Sequence, residues 1–286
     1  MNLQTNCKPD TRNSNLETTQ MNILDNIIAS KKIEVKEKKK LVPVEELETF
    51  PHFHSNCNSL VSELLNETST GIIAEFKRRS PSKGVINDHV QIGPVVEAYD
   101  THGASGISIL TDENFFGGSI DDIIYARNIV RVPILRKDFI IDEYQILEAK
   151  AIGASVILLI AACLTPERVR ELALFAKRIS LEVLLEIHNE DELKHICNEV
   201  DIVGVNNRDL QTFTVDINRS LELSELIPPE KIMISESGIT NVNSILTLRQ
   251  AGFKGFLIGE NFMKEPDPAI AFADFVNQLT ASVKGH

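Results

Sequence analysis

Cysteine is scarce in this 286-residue chain, and the four present, Cys7, Cys57, Cys163 and Cys197, stand far apart with no CxxC pair. That spacing argues against a disulfide framework or a thiolate zinc site, fits a reducing cytoplasm, and leaves all four as small core or surface residues. No apolar run is long enough to cross a bilayer, and no apolar stretch near residue 1 suits a secretory signal. Cations are also in deficit. The 29 Lys and Arg against 41 Asp and Glu leave a formal charge of -12, which argues against general nucleic-acid binding while still permitting a small basic pocket for a phosphate. Missing too is the glycine fingerprint that a dinucleotide-binding open sheet carries after its first strand.

What remains is a globular composition, 43% hydrophobic, with enough apolar residues for a large core. Residues 1–20, MNLQTNCKPDTRNSNLETTQ, are rich in Asn and Thr and lack apolar periodicity, so a disordered tail is expected there. Two acidic residues and a single Arg make this a poor transit peptide. From Met21, a candidate start of a shorter form, Ile23, Leu24, Ile27, Ile28, Ile33 and Val35 give an amphipathic helix to about Lys40, with KEKKK as its solvated end. The expected organisation is this tail followed by one domain over 21–286, in which 21–67 is a helical extension with a second short helix at Leu60 to Glu67.

Eight apolar or β-branched runs then follow at even intervals: IIAEFK, GISILT, VPILRKD, SVILLIA, EVLLEI, DIVGVN, KIMISE and GFLIG. Helical periodicity falls between them at Val95–His102, Ile120–Ile129, Tyr144–Ile152, Pro166–Ile179, Asp191–Cys197 and Asn241–Ala251, and after the last run at Pro268–Val283. Strands alternating with helices pair in parallel through right-handed crossovers, and burial on both faces explains runs that are nearly all apolar. Eight such units predict an α/β fold, a (β/α)8 TIM barrel with an N-terminal helical extension.

Polar residues close several of these runs: Glu75 and Lys77 the first, Lys137 and Asp138 the third, Glu186 the fifth, Asn206 and Arg208 the sixth, Glu236 and Ser237 the seventh. In this barrel the C-terminal strand ends form the active-site face. Any one of these groups can equally be a solvated loop residue or a structural ion pair. Five of eight strands ending this way predict a polyfunctional acid–base site, in which neighbouring Lys and Glu groups tune one another. Gly238, after the seventh strand, and Gly259, ending the eighth in LIGE with Glu260, occupy the two loops where barrels commonly bind phosphate. Each can also be an ordinary turn glycine. Lys77 and Ser80 would add a cation and a hydroxyl donor, whereas Arg78, Arg79 and Lys83 are expected to be loop or surface charges.

The segments IIAEFKRRSPSKG, LRKDFIIDEYQI, LLEIHNEDEL, VGVNNRDL, SESGI and LIGENFM, in that order, resemble the indole-3-glycerol-phosphate synthase family over roughly residues 21–284. The resemblance implies a lyase of tryptophan biosynthesis that converts 1-(2-carboxyphenylamino)-1-deoxyribulose 5-phosphate to indole-3-glycerol phosphate, carbon dioxide and water. It implies no metal and no organic cofactor, and a helical extension covering the barrel mouth. The expected partner is this small phosphorylated substrate, with no nucleic acid and no membrane. A monomer or weak homodimer is expected, open to association with other tryptophan-pathway enzymes.

By the same resemblance Lys137 is the acid for ring closure and Glu186 the base. Glu75 and Lys77 are the second carboxylate and ammonium, with the choice between Lys77 and Lys137 as acid for dehydration left open. Asn206 bonds a sugar hydroxyl or orients a catalytic group, Arg208 grips the substrate carboxylate, and Ser237 and Glu236 complete the polar rim. Phe116 and Phe139 correspond to the aromatic slot for the anthranilate ring, although either can instead pack a loop to the barrel. Asn261 and Phe262 depart from the small residue and Leu common in the family, so an altered phosphate loop is expected, with its backbone donors retained. A sugar-phosphate isomerase such as phosphoribosylanthranilate isomerase would use similar glycines with a Cys and Asp pair, and the Glu-x-Lys and Ser-Pro-Ser stretch discriminates against it. A barrel kept only for binding would have lost one or more of Lys137, Glu186 and Glu75.

Overall fold

A computed structural model of the chain describes residues 23–210 and 212–284, so the expected tail, with Cys7, lies outside the described residues. Eight parallel strands close into a barrel: β1 (Ile72–Phe76), β2 (Gly106–Leu110), β3 (Ile134–Lys137), β4 (Val156–Ile160), β5 (Glu182–Ile187), β6 (Ile202–Asn206), β7 (Ile232–Glu236) and β8 (Gly255–Ile258). Each pairs with its sequence neighbours, and β8 closes on β1 in the register Ile73 to Leu257. All eight expected strands are present.

The alternation of strand side chains builds two apolar layers. Ile72, Ala74 and Phe76 point outward into the main core against the surrounding helices, as do Ile107, Ile109 and Ile134. Ile73, Leu135, Val156, Leu158, Leu184, Ile202, Ile234 and Leu257 fill the barrel interior. Because Glu75 is two residues beyond Ile73, Lys137 two beyond Leu135, Glu186 two beyond Leu184 and Glu236 two beyond Ile234, these groups stand above that interior layer. The same arithmetic removes Asp138 from the mouth, where the sequence reading had placed it: one step on from Lys137, it turns outward.

The extension divides between the two ends of the barrel. Helix α1 (Ile23–Leu41) lies at the mouth, α2 (Val44–Leu47) packs with Val35, Tyr144 and Ala151 at the side, and α3 (Leu60–Leu65) plugs the opposite end. In α3 the side chains of Leu60 and Leu64 are buried in the interior layer. Burying each contributes about 1.5–3 kcal/mol. Room for them comes from the absence of side chains on the strands: a Cβ on Gly106 would lie 2.9 Å from Leu60, and one on Gly255 3.0 Å from Leu64. The inward carboxylate of Glu182 accepts from Leu60 N at 2.8 Å and Val61 N at 3.1 Å, matching negative charge to unsatisfied N–H groups at a helix start.

The outer helices are α4 (Ile92–Thr101), α6 (Ile120–Arg127), α7 (Glu143–Ala151), α8 (Pro166–Arg178), α9 (Asn218–Ser224), α10 (Val242–Gln250) and α12 (Pro268–Lys284), with short α5 (Glu113–Phe116) and α11 (Glu260–Met263) in the loops at the mouth. Side chains cap the starts of α5, α6, α7, α8 and α10; Asp142 and Gln145 form a reciprocal capping box, and Thr165 caps α8 ahead of Pro166. Several elements differ from expectation, the short helices α2, α5 and α11 among them. Glu190–His195 is a 3₁₀ turn rather than an α-helix. Helix α9 was not expected, because in NRSLELS only Ser220 and Leu223 are buried and no apolar stripe announces it. Among the described residues Cys57, Cys163 and Cys197 are free and partly buried, and no helix is long and apolar enough to cross a membrane.

Candidate active site

The C-terminal strand ends surround a cavity of about 630 Å³. Of the expected site residues, Glu75, Lys77, Ser80, Phe116, Lys137, Phe139, Glu186, Asn206, Arg208, Glu236, Ser237, Gly238, Gly259 and Glu260 all line it. Asp138 does not. Ile23, Leu24 and Ile27 of α1 form an apolar wall beside Phe116 and Phe139, whose ring centroids are 6.0 Å apart at 41°. This is a slot of the right character for a flat aromatic ring.

Lys137 is central. Its Nζ lies 3.4 Å from Glu186 Oε2 and 3.7 Å from Glu236 Oε2, while Lys77 pairs with Glu75 at 2.5 Å. Burial would strip the proton from Lys137, but the carboxyl groups around it, Glu186 foremost, then Glu236 once it is ionised, and Glu75, outweigh that and hold the ammonium well above its ordinary value. Burial would likewise protonate Glu186; Lys137, the adjacent His188 at 3.3 Å and a hydrogen bond from Asn206 overcome that and keep it a carboxylate. Glu75 is held low against its own burial by Lys77 and Lys137. Glu236 goes the other way. Burial first, then the neighbouring charge of Glu186, push it up to about 8, so it is a neutral acid at neutral pH. The mouth therefore holds a carboxylate and a carboxylic acid on either side of one ammonium, which is the division of labour that acid–base catalysis needs.

Two glycines make these carboxyl positions possible. A Cβ on Gly259 would stand 2.5 Å from Glu75 Oε1, and one on Gly204 would collide with Glu236 Oε1. Gly259 thus serves Glu75 as well as opening α11. At the other candidate phosphate loop, Ser237 (φ 68°) and Gly238 (φ 77°) are both left-handed, a conformation that costs Ser237 roughly 1–2 kcal/mol. Buried Asn207 secures it by donating to Ser237 O at 3.0 Å and Ser235 Oγ at 2.9 Å. Asn207 was missed from sequence because its neighbour Asn206 carries the strand-end signal.

The Glu260 side chain faces cations: Arg208 Nη2 at 3.2 Å and Lys83 Nζ at 3.8 Å. Only its backbone can serve a phosphate. Arg208 is accordingly held at the rim by Glu260 and by the Phe213 carbonyl at 3.4 Å. Phe262 points away from the loop into the core beside Tyr99, Phe272 and Phe275, so of the two departures from the family pattern only Asn261 borders the cavity. Arg78 and Arg79 are more than the surface charges expected: Arg78 pairs with Asp122 in the first turn of α6, and Arg79 donates to the carbonyls of Glu113 and Asn114, so they tie the loop after β1 to α6 and to the loop after β2 respectively.

Barrel and site together define a (β/α)8 barrel of the enzyme class, whose partly apolar mouth gathers groups suited to general acid–base chemistry. Solved structures agree on the fold: 3-hexulose-6-phosphate synthase from Salmonella typhimurium aligns over 74% of this chain and 99% of its own, with a TM-score of 0.58 at 11% identity. A mutant tryptophan synthase alpha-subunit from Pyrococcus furiosus aligns over 74% and 98%, with a TM-score of 0.56 at 14% identity. Sequence relatives are far more specific. Residues 24–275 match the family described as indole-3-glycerol phosphate synthase. The enzyme of that name from Bacteroides thetaiotaomicron is 48% identical over 257 residues, 90% of this chain and 98% of that protein, and the one from Burkholderia ambifaria is 40% identical over 250 residues, 86% and 95%. The chain belongs to the indole-3-glycerol phosphate synthase family.

Proposed function

We propose that this mouth closes the indole ring of 1-(2-carboxyphenylamino)-1-deoxyribulose 5-phosphate, with loss of carbon dioxide and water, and that the Lys137–Glu186 pair is its central acid–base couple. The observation that carries the assignment is the Lys137 ammonium held between Glu186 and Glu236 beside the Phe116–Phe139 slot. Attack of the carboxylate-bearing ring carbon on the sugar ketone forms the new carbon–carbon bond and an alkoxide, which takes its proton from Lys137. Carbon dioxide then departs, leaving its bonding electrons to the ring and restoring aromaticity.

Dehydration needs one acid and one base. Lys77, paired with Glu75, protonates the departing hydroxyl, and Glu186 accepts the proton released as the second double bond of the indole forms. Neutral Glu236 and Ser237 complete the rim by hydrogen bonding, and Asn206 orients Glu186 or a sugar hydroxyl. Arg208 receives the substrate carboxylate in exchange for Glu260. The phosphate lies against the Gly238 and Gly259 loops, where backbone N–H groups, Ser80 and Lys83 supply donors and positive charge. The proposal extends to a monomer or weak homodimer in the cytoplasm that associates with other enzymes of the tryptophan pathway.

The test is direct. The chain has no Trp, so the indole fluorescence of the product rises over a nearly dark protein background when the purified protein meets this substrate. A well-folded preparation that produces no such rise overturns the assignment.

A further inference from the structure

One buried imidazole beside the couple has no part in these steps. His188 follows Glu186 by two residues, one step past the end of β5, and is 6% exposed. Its Nε2 lies 3.3 Å from Glu186 Oε1, and its Nδ1 lies 3.3 Å from Glu192 Oε2. The same Glu192 oxygen accepts the His188 backbone N–H at 2.6 Å, so the ring is anchored at both ends of its own residue. The Nε2 atom is buried without a well-directed hydrogen bond, and Glu186 is the acid it faces.

We propose that His188 is a positioning residue for Glu186: clamped by Glu192, it pins Glu186 Oε1, leaves Oε2 to Lys137, and so decides which carboxyl of the Glu186–Glu236 pair stays ionised. The inference rests on the base role given to Glu186. The asymmetry of the pair supports it. Glu186 is approached by Lys137, His188 and Asn206, whereas Glu236 has Lys137 at 3.7 Å and a buried Oε1 with no partner. Two carboxyl groups sharing one ammonium cannot both ionise cheaply in a buried site, so a second cation on one of them settles the proton on the other.

The other groups around His188 do not replace it. Cys163, on the turn after β4, is kept a neutral thiol by burial and then by the charges of Glu186 and Glu192. His195, on the same turn as Glu192, faces the carbonyls of Glu192 and Leu164. Burial opposes the charge on His188, but the adjacent carboxyl groups of Glu186 and Glu192 raise it to about 9, consistent with a cation at neutral pH.

The experiment uses the full chain with His188→Gln and Glu192→Gln, followed by kcat against pH from product fluorescence and by carbon NMR of glutamate labelled at its carboxyl carbon, with Glu186→Gln and Glu236→Gln assigning the two resonances. Without the His188 cation the acid limb of kcat moves to higher pH by about one unit or more, a roughly tenfold loss of rate on that limb, and Glu192→Gln gives a smaller shift in the same direction. In the NMR titration the Glu186 carboxyl takes up its proton at correspondingly higher pH. An unmoved limb together with an unmoved Glu186 titration in folded His188→Gln overturns the proposal. Should that variant not fold, nitrogen NMR of wild-type His188 decides: both ring nitrogens protonated at about pH 7 is the expected result, and a neutral ring overturns it. Glu186→Gln that keeps full rate would instead defeat the base role, while the titration of Glu186 in His188→Gln still reports on His188.

Discussion

Lys31 Nζ lies 2.9 Å from Asp138 Oδ1, and both side chains are buried. The same ammonium lies 3.0 Å from Asp112. Asp112 caps α5, which carries Phe116, and Asp138 accepts the backbone N–H of Phe139 at 2.8 Å. A single lysine of the extension therefore joins the two turns that hold the aromatic slot. Arg136, 3.1 Å from Asp138 and 2.6 Å from Glu148, completes the cluster beneath it.

Lys31→Met would leave two buried carboxylates short of a cation, and a cost of about 3–5 kcal/mol in unfolding free energy is expected. Urea denaturation followed by far-UV circular dichroism measures it. KM should rise as the Phe116 and Phe139 turns loosen, and a variant with wild-type stability and KM would show that the cluster holds nothing in place. The pH dependence has a definite sign. Lys31 and Arg136 hold Asp138 below its ordinary value despite burial, so its contribution is present at neutral pH and is lost as the pH falls below about 4 and on through the lowered folded value.

Lys137→Ala removes the ammonium proposed as the proton donor for ring closure. A fall in kcat of about 10²–10⁴-fold is expected, with the far-UV spectrum unchanged. An unchanged rate would take Lys137 out of the mechanism.

Gly259→Ala places a methyl group only 2.5 Å from Glu75 Oε1. Glu75 must swing from Lys77, and because misplacement of about 1 Å can cost a factor of about 100, kcat should fall by that order. If only KM changes, Gly259 matters for phosphate contact alone.

Glu236→Gln copies the neutral acid. Activity at neutral pH should persist, and the loss of wild-type activity as the pH rises through about 8 should disappear from the variant. Stability follows the same sign. The folded chain keeps the Glu236 proton up to about 8, whereas an ordinary glutamate releases it near about 4, so the stabilisation is complete below the ordinary value and is lost as the pH rises through about 8. Thermal melts of both proteins across this range check it, and parallel curves would count against a neutral Glu236.

Much of the catalytic rim was legible because strands have a period of two. Glu75, Lys77, Lys137, Glu186 and Glu236 each lie an even number of steps beyond an interior apolar residue, and in a closed parallel barrel those positions converge at one mouth. The same rule, applied strictly, would have turned Asp138 outward. Other contributions left no local mark. Asn207 is adjacent to a stronger signal, His188 reads as part of a polar turn, and Lys31 sits among several lysines of α1.

The amino-acid sequence by itself determined the barrel, its eight strands and the identity of the residues that close them, because periodicity, turn glycines and strand-end charges are local properties of the chain. Tertiary structure decided the rest. Which Glu keeps its proton depends on how many cations face it in a buried space, and Glu186 has Lys137 and His188 where Glu236 has Lys137 alone. Where the extension goes depends on long-range complementarity: α3 enters the barrel floor because Gly106 and Gly255 leave room and Glu182 waits for its N–H groups, while Lys31 of α1 meets two aspartates of the mouth loops. Contacts between residues 81 to 122 positions apart in sequence have no spacing rule to announce them.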